Sequence, residues 1–227
     1  FDILHSPDGA IAPALFAYSS HVIPRPSDWP DQVAATGYWF LETGGDWRPT
    51  ADLTDFLQAG PAPIYVGFGS MSGRNPDQKA RMFVDALVRS GHRGILARGW
   101  GGLNATELPD TILAIDEAPH DWLFPRMAAV VHHGGAGTTA AGLRAGKPTL
   151  ICPFFADQPF WGRRVERIGA GPAPIMQKKL TTERLVAAFD TLMNDEAMKS
   201  KAAEIGARIS AENGVENAIR FIEALKR

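Results

Sequence analysis

Residues 132–139 read His-His-Gly-Gly-Ala-Gly-Thr-Thr and follow an apolar run that begins at Ala128. A glycine-rich turn between an apolar strand and a helix aims unpaired backbone N–H groups and the positive helix end at one point, which is the chemistry of an anion site. His133 closes the strand, where its imidazole can donate to a phosphate oxygen. His132, adjacent in an extended chain, must point to the opposite face, so one histidine belongs to the site and the other to packing. Gly135 and Gly137 open the turn, Thr138 and Thr139 add hydroxyl donors without bulk, and Ala140, Ala141 and Gly142 let the helix lie close to a sheet. The plainer reading of such a turn is tight strand-to-helix packing alone.

A second polar pair, Asp157-Gln158, follows the apolar segment that ends at Cys152-Pro153 and the aromatic pair Phe154-Phe155. A carboxylate beside an amide suits the hydroxyls of a sugar, and their structural alternative is helix capping, with Asp157 as N-cap and Pro159 in the first turn. Ser70 ends another apolar run and can offer its hydroxyl and N–H to the same anion. Arg98, at the end of the next run, can supply positive charge.

These residues need strands and helices to position them. The run Ile64-Tyr65-Val66-Gly67-Phe68-Gly69-Ser70 reads as a buried parallel strand. A helix follows, with Asn75-Pro76 at its start, Met82, Phe83, Ala86 and Leu87 on its apolar face, and Gly91 at its end. Further strands are predicted at 94–98, 111–116, 128–133 and 149–153, with a small-residue helix from the glycine turn to Gly146. This alternation is that of an α/β fold with a Rossmann-like, doubly wound parallel sheet. Helices are predicted at about 159–169, 181–194, 196–212 and 215–227, the last docking through Ala218, Ile219, Ile222 and Leu225. Residues 1–63, rich in proline, read as a connecting region with one short strand at 37–41, and residues 64–227 as the binding domain.

The sequence has 227 residues, 45% of them hydrophobic and 21% charged, with a formal net charge of -2. That composition can bury a sizeable core and presents no basic face for nucleic acid. Cys152 is the single cysteine, so an intramolecular disulfide and a thiolate zinc cluster are both excluded. No stretch reaches the ~20 apolar residues of a transmembrane segment. The chain begins at Phe1 without the features of a signal peptide, and a longer parent protein is expected. The expected location is cytoplasmic, with peripheral attachment to a membrane surface left open.

The Gly-x-Gly-x-x-Gly fingerprint of dinucleotide dehydrogenases is missing, because Thr138, Thr139 and Ala140 follow Gly137, and the turn falls on a late strand instead of the first. NAD is therefore a poor candidate. From about Pro24 to Val165 the sequence instead resembles the two-domain GT-B glycosyltransferases, especially UDP-glucose:sterol glucosyltransferases and the related family 1 and 28 group. The resemblance rests on ordered blocks at 24–29, 67–71, 99–102, 119–125, 132–139 and 153–161, among them Pro119-His120-Asp121-Trp122-Leu123-Phe124-Pro125.

The resemblance implies that His133, Gly135, Gly137, Thr138 and Thr139 meet the donor diphosphate and that Ser70 closes it from the other side. Asp157 and Gln158 would bind the donor sugar, and the backbone near Ala118 and His120 would frame the uracil. Glu117 and Ala141 stand where the plant branch places its base-stacking tryptophan and ribose-binding glutamate. The implied reaction is inverting transfer of a hexose, glucose first, from UDP-glucose to a hydroxyl of a lipophilic acceptor such as a sterol, another lipid or a natural-product aglycone. No cofactor is implied beyond the donor, and without an Asp-x-Asp pair no metal is expected. The resemblance also implies that the general base belongs to an N-terminal acceptor domain, which is expected to be absent from this chain. Two other readings stand beside this one: a non-catalytic nucleotide-sugar-binding fragment or subunit, and a UDP-sugar 2-epimerase.

Overall fold

The computed structural model describes residues 9, 11–42, 45–68, 76–97 and 108–225. Ser70, Arg98 and the blocks at 69–71 and 99–102 lie outside the described residues. Contacts divide the chain into residues 42–206 and a smaller unit of residues 1–41 with 207–227.

The larger unit is built on a parallel sheet of order β5-β4-β3-β6-β7, comprising Ile64–Gly67 (β3), Gly94–Ala97 (β4), Ile112–Ile115 (β5), Ala129–His132 (β6) and Thr149–Ile151 (β7). β3, β6 and β7 are buried along their whole length, as apolar runs covered on both faces must be. Alternation sends Ile64, Val66, Ala129 and Val131 to one layer, where helix α2 (Pro76–Ser90) presents Ala80, Phe83, Ala86 and Leu87. Helix α6 (Thr182–Asn194) adds Leu185, Ala188, Phe189 and Leu192 to that layer. Tyr65, Ile95, Ile115 and Val130 face the opposite layer with Leu123, Phe124 and Met127. Among the described residues the remaining α-helices of this unit are α1 (Ala51–Gln58), α3 (His120–Leu123), α4 (Ala136–Arg144), α5 (Gln158–Arg167) and most of α7 (Glu196–Ser210).

Helix α1 lies where the sequence pattern suggests only connection. Thr50 caps it by accepting from the Leu53 N–H at 3.3 Å, and Leu53 is its one buried residue. A helix of two turns with a single anchor leaves no sustained period to read.

In the smaller unit the strand expected at 37–41 is absent. The strands are Ala14–Phe16 (β1) and Val33–Ala35 (β2), paired in parallel. Gly37 takes φ 96°, which ends the extended run, and Trp39 and Leu41 are 48% and 83% exposed. The last helix, Gly214–Ala224 (α8), is also used differently from the expectation. Ala218 is buried, but Ile219, Ile222 and Leu225 are exposed, so the apolar face is not the docked one. What holds the helix is polar and backbone contact: Asn217 Nδ2 donates to the Thr36 carbonyl at 3.0 Å, and a Cβ at Gly214 would strike the Tyr38 carbonyl. Among the described residues no helix is long and apolar enough to cross a membrane.

Candidate functional site

The chain enters the large sheet at its centre. From β3 it builds outward through β4 to β5, then returns to place β6 on the other side of β3 and β7 beyond it. The strand order therefore reverses between β3 and β6, and the crevice outside the carboxyl ends of strands at such a point is the place where open α/β sheets bind ligands. Gly67 of β3 pairs with His132 of β6 at this point, so the glycine turn opens directly onto the crevice.

The turn is shaped by Gly134, which adopts φ 97°. A Cβ there would lie 2.6 Å from Ile151 Cγ2 and 3.1 Å from the Gln158 carbonyl oxygen. The same residue thus reverses the chain and lets the turn touch the start of α5. Gly135 is the N-cap of α4 and carries no side-chain cap, leaving the first N–H groups of the helix pointing outward. A Cβ at Gly135 would come within 2.8 Å of His133 Nε2, so the histidine ring folds over the turn. Among the described residues nothing approaches a Cβ placed at Gly137, and Thr138 is half-buried. Thr139 is fully buried and its hydroxyl donates to the Gly135 carbonyl at 2.9 Å, so this side chain braces the cap from behind.

His133 Nδ1 is buried without a hydrogen-bond partner among the described residues. Burial lowers the pKa of this imidazole and the Asp157 carboxylate pulls it back up, which places the two predicted site residues within electrostatic reach of each other. Asp157 is exposed at the head of α5. It makes no capping hydrogen bond, and its Oδ2 accepts from Trp161 Nε1 at 2.9 Å. Gln158 is buried, with Oε1 accepting from the N–H groups of Phe154 at 2.8 Å and Phe155 at 3.4 Å. Its carbonyl end fixes the loop that carries Asp157, a role the residue type alone does not reveal. The same loop holds Ala156 at φ 58°, a left-handed conformation that costs about 1 kcal/mol and is kept by this surrounding network.

Ala118 and His120 come from beyond the edge strand β5, yet α3 carries His120 back toward the crevice. Its ring stacks on Phe124 at 4.2 Å and meets Tyr65 edge-on at 6.1 Å. Burial lowers the His120 pKa, opposed by Asp121. His132 faces this cluster from β6, and its own pKa is pushed down to about 3, first by burial and then by His133 and His120. Residues 118–120, 133–139 and 157–158 are therefore gathered at the carboxyl edge of one sheet. The Tyr65–His120 contact and the neutral state of His132 escape a reading of the sequence.

Acid sensitivity follows from these histidines. As pH falls below about 6.5 the unfolded chain takes up a proton that native His132 refuses, so its contribution to stability is complete above that pH. The contribution declines by on the order of 1 kcal/mol per pH unit until the native ring itself titrates. His120 and His133 shift the same way. Urea-unfolding midpoints followed from about pH 7.5 to about pH 4 should fall, and the fall should be shallower in His132→Asn, which has nothing to titrate at this position.

Comparison with known proteins identifies the family and the fold. Residues 85–225 match the family described as Erythromycin biosynthesis protein CIII-like, C-terminal domain. A sterol 3-beta-glucosyltransferase of Arabidopsis thaliana is 44% identical over 93% of this chain, which spans 33% of that protein. One from Aspergillus oryzae is 44% identical over 92% of this chain, which spans 16% of it. The chain thus spans a third or less of these curated relatives. Among solved structures, the glycotransferase of kitacinnamycin aligns with TM-score 0.76 and 21% identity over 95% of this chain and 55% of its own. The glycosyltransferase VinC, solved in complex with dTDP, aligns with TM-score 0.60 and 25% identity over 75% of this chain and 44% of its own.

Proposed function

The chain belongs to the family of Erythromycin biosynthesis protein CIII-like C-terminal domains, and from that premise we propose that it is the donor-binding half of an inverting, UDP-glucose-dependent glycosyltransferase with a lipophilic acceptor, a sterol in the first instance. The observation that carries the reading is the close approach of Gly134 to Gln158, with no room for a Cβ between them, beside the uncapped N-terminus of α4 and with His133 and Asp157 in electrostatic reach of each other at the switch point of the sheet. The sterol assignment is supported by what the relatives at 44% identity are called, and binding of a nucleoside diphosphate by the complex solved for VinC.

In the proposed reaction the bond between the anomeric carbon of glucose and the diphosphate oxygen breaks, with the electron pair leaving on UDP. The acceptor hydroxyl oxygen attacks from the opposite face and its proton passes to a base outside this domain. This chain stabilises the charge growing on the departing diphosphate through helix N–H groups, the Thr138 hydroxyl and His133, with Ser70 closing from the β3 side. Asp157 receives sugar hydroxyls, Gln158 holds the loop that presents it, and the backbone of 118–120 frames the uracil. The helix end takes the place of a metal ion at the diphosphate.

Calorimetric titration of this chain with UDP, dTDP, UDP-glucose and NAD, first without metal and then with magnesium, tests the reading. The expected result is metal-independent binding of UDP and UDP-glucose. Binding of NAD alone, or of no nucleotide, would sink it. Sterol glucosylation by the isolated chain at the rate of a full-length relative would overturn the placement of the base.

A further inference from the structure

His132 lies on the face of β6 away from His133 and is completely buried. A buried imidazole is a poor filler unless its polar atoms are used, and here the two ring nitrogens differ. Nδ1 accepts from the Gly134 N–H at 3.0 Å, while Nε2 is buried with no partner among the described residues. An acceptor nitrogen carries no proton, so the ring is the neutral tautomer protonated at Nε2. The N–H of residue i+2 donates to the side chain of residue i, which is how an asparagine closes a turn on itself. It ends on Gly134, whose positive φ and contact with Ile151 and Gln158 decide where the N–H groups beyond it point.

We propose that His132 is a positioning residue for the donor site, its Nδ1 acting as a fixed acceptor that locks the Gly134 turn and so aims the N-terminus of α4 and His133 at the diphosphate. This rests on the reading of the domain as a nucleotide-sugar site. His132 touches no ligand itself. Its effect passes through one backbone hydrogen bond, so any side chain with an acceptor at that place should serve, and one of similar bulk without an acceptor should not.

The test compares wild type, His132→Asn and His132→Leu by UDP titration, with thermal unfolding beside it. His132→Leu should unfold within a few degrees of wild type, since it removes the orphaned Nε2 donor while releasing one backbone N–H, and should bind UDP about tenfold more weakly. His132→Asn should stay within about threefold of wild type, because its Oδ1 restores the acceptor. Wild-type affinity in His132→Leu, or equal weakening in both variants, overturns the proposal while leaving the donor reading intact. Failure of the wild-type chain to bind UDP overturns the donor reading, and the positioning role with it. Nitrogen NMR of ¹⁵N-histidine-labelled wild type gives a further readout if His132→Leu does not fold: Nδ1 should be unprotonated and Nε2 protonated across neutral pH, and a protonated Nδ1 overturns the proposal.

Discussion

Replacing Gly134 with alanine should remove measurable UDP binding and lower stability by about 2–4 kcal/mol. A non-glycine residue at φ 97° is strained whatever the space around it, and here there is no space. The new methyl would sit 2.6 Å from Ile151 Cγ2, 3.1 Å from the Gln158 carbonyl and 3.2 Å from Gln158 Cβ. Ile151 belongs to the buried sheet and Gln158 to the first turn of α5, so the turn has to give way instead, and the N–H groups of α4 move with it. Gly137→Ala is the matched control. No atom of the described residues lies within 4 Å of its Cβ, and the position is helical, so the change should raise stability by roughly 0.5–1 kcal/mol. A Gly137→Ala protein that is more stable yet binds UDP less well would mean that the ligand occupies the space in front of Gly137. Unaltered binding would place the diphosphate nearer Gly135 and His133. UDP binding by Gly134→Ala equal to wild type would show that the turn is packing alone.

The difference between these two glycines also shows what the sequence could and could not disclose. A cluster of glycines after an apolar run announces a turn and a helix end, and both stand where the spacing puts them. Which glycine is conformational, which gives clearance to His133 and which faces solvent depends on Ile151 and Gln158, brought in by later strands and helices. Gln158 shows the same limit. Amide chemistry suits a sugar hydroxyl and a loop N–H equally, and only the fold shows Oε1 held by Phe154 and Phe155. The sheet was legible because buried parallel strands are unbroken apolar runs, whereas helix α1, anchored by Leu53 alone, carries almost no pattern. The aromatic cluster at 38–40 read as a strand because strand propensity sees side chains and not Gly37, whose backbone turns the chain away. The face of α8 misled for a similar reason. Periodicity identifies an apolar stripe, but the helix is held through Asn217, Gly214 and Ala218 on another side.

Changes at His133 and Asp157 should divide donor recognition into its two chemical parts. His133→Ala removes the imidazole that lies over the turn and should weaken UDP and UDP-glucose alike, by about 10- to 100-fold, the worth of one charge-assisted hydrogen bond. Thr138→Val should act in the same direction and by less. Asp157→Ala should weaken UDP-glucose strongly and UDP little if, as proposed, its carboxylate receives the sugar and not the phosphates. Asp157 also accepts from Trp161 Nε1, so Asp157→Asn, which keeps an oxygen acceptor, separates the charge from the hydrogen bond, and Trp161→Phe removes the bond while keeping the charge. Equal losses of UDP and UDP-glucose in Asp157→Ala would make the aspartate a structural support for α5. The pH dependence adds an independent check. The free His133 imidazole has a lowered pKa, and an anionic diphosphate favours its protonated form, so UDP affinity should rise as pH falls and level off below the pKa of the free protein. Asp157 is the group that holds this pKa up against burial, so in Asp157→Ala the rise should begin at lower pH, and in His133→Ala it should vanish. An unaltered pH profile in His133→Ala would assign the titration to another group and remove His133 from the phosphate.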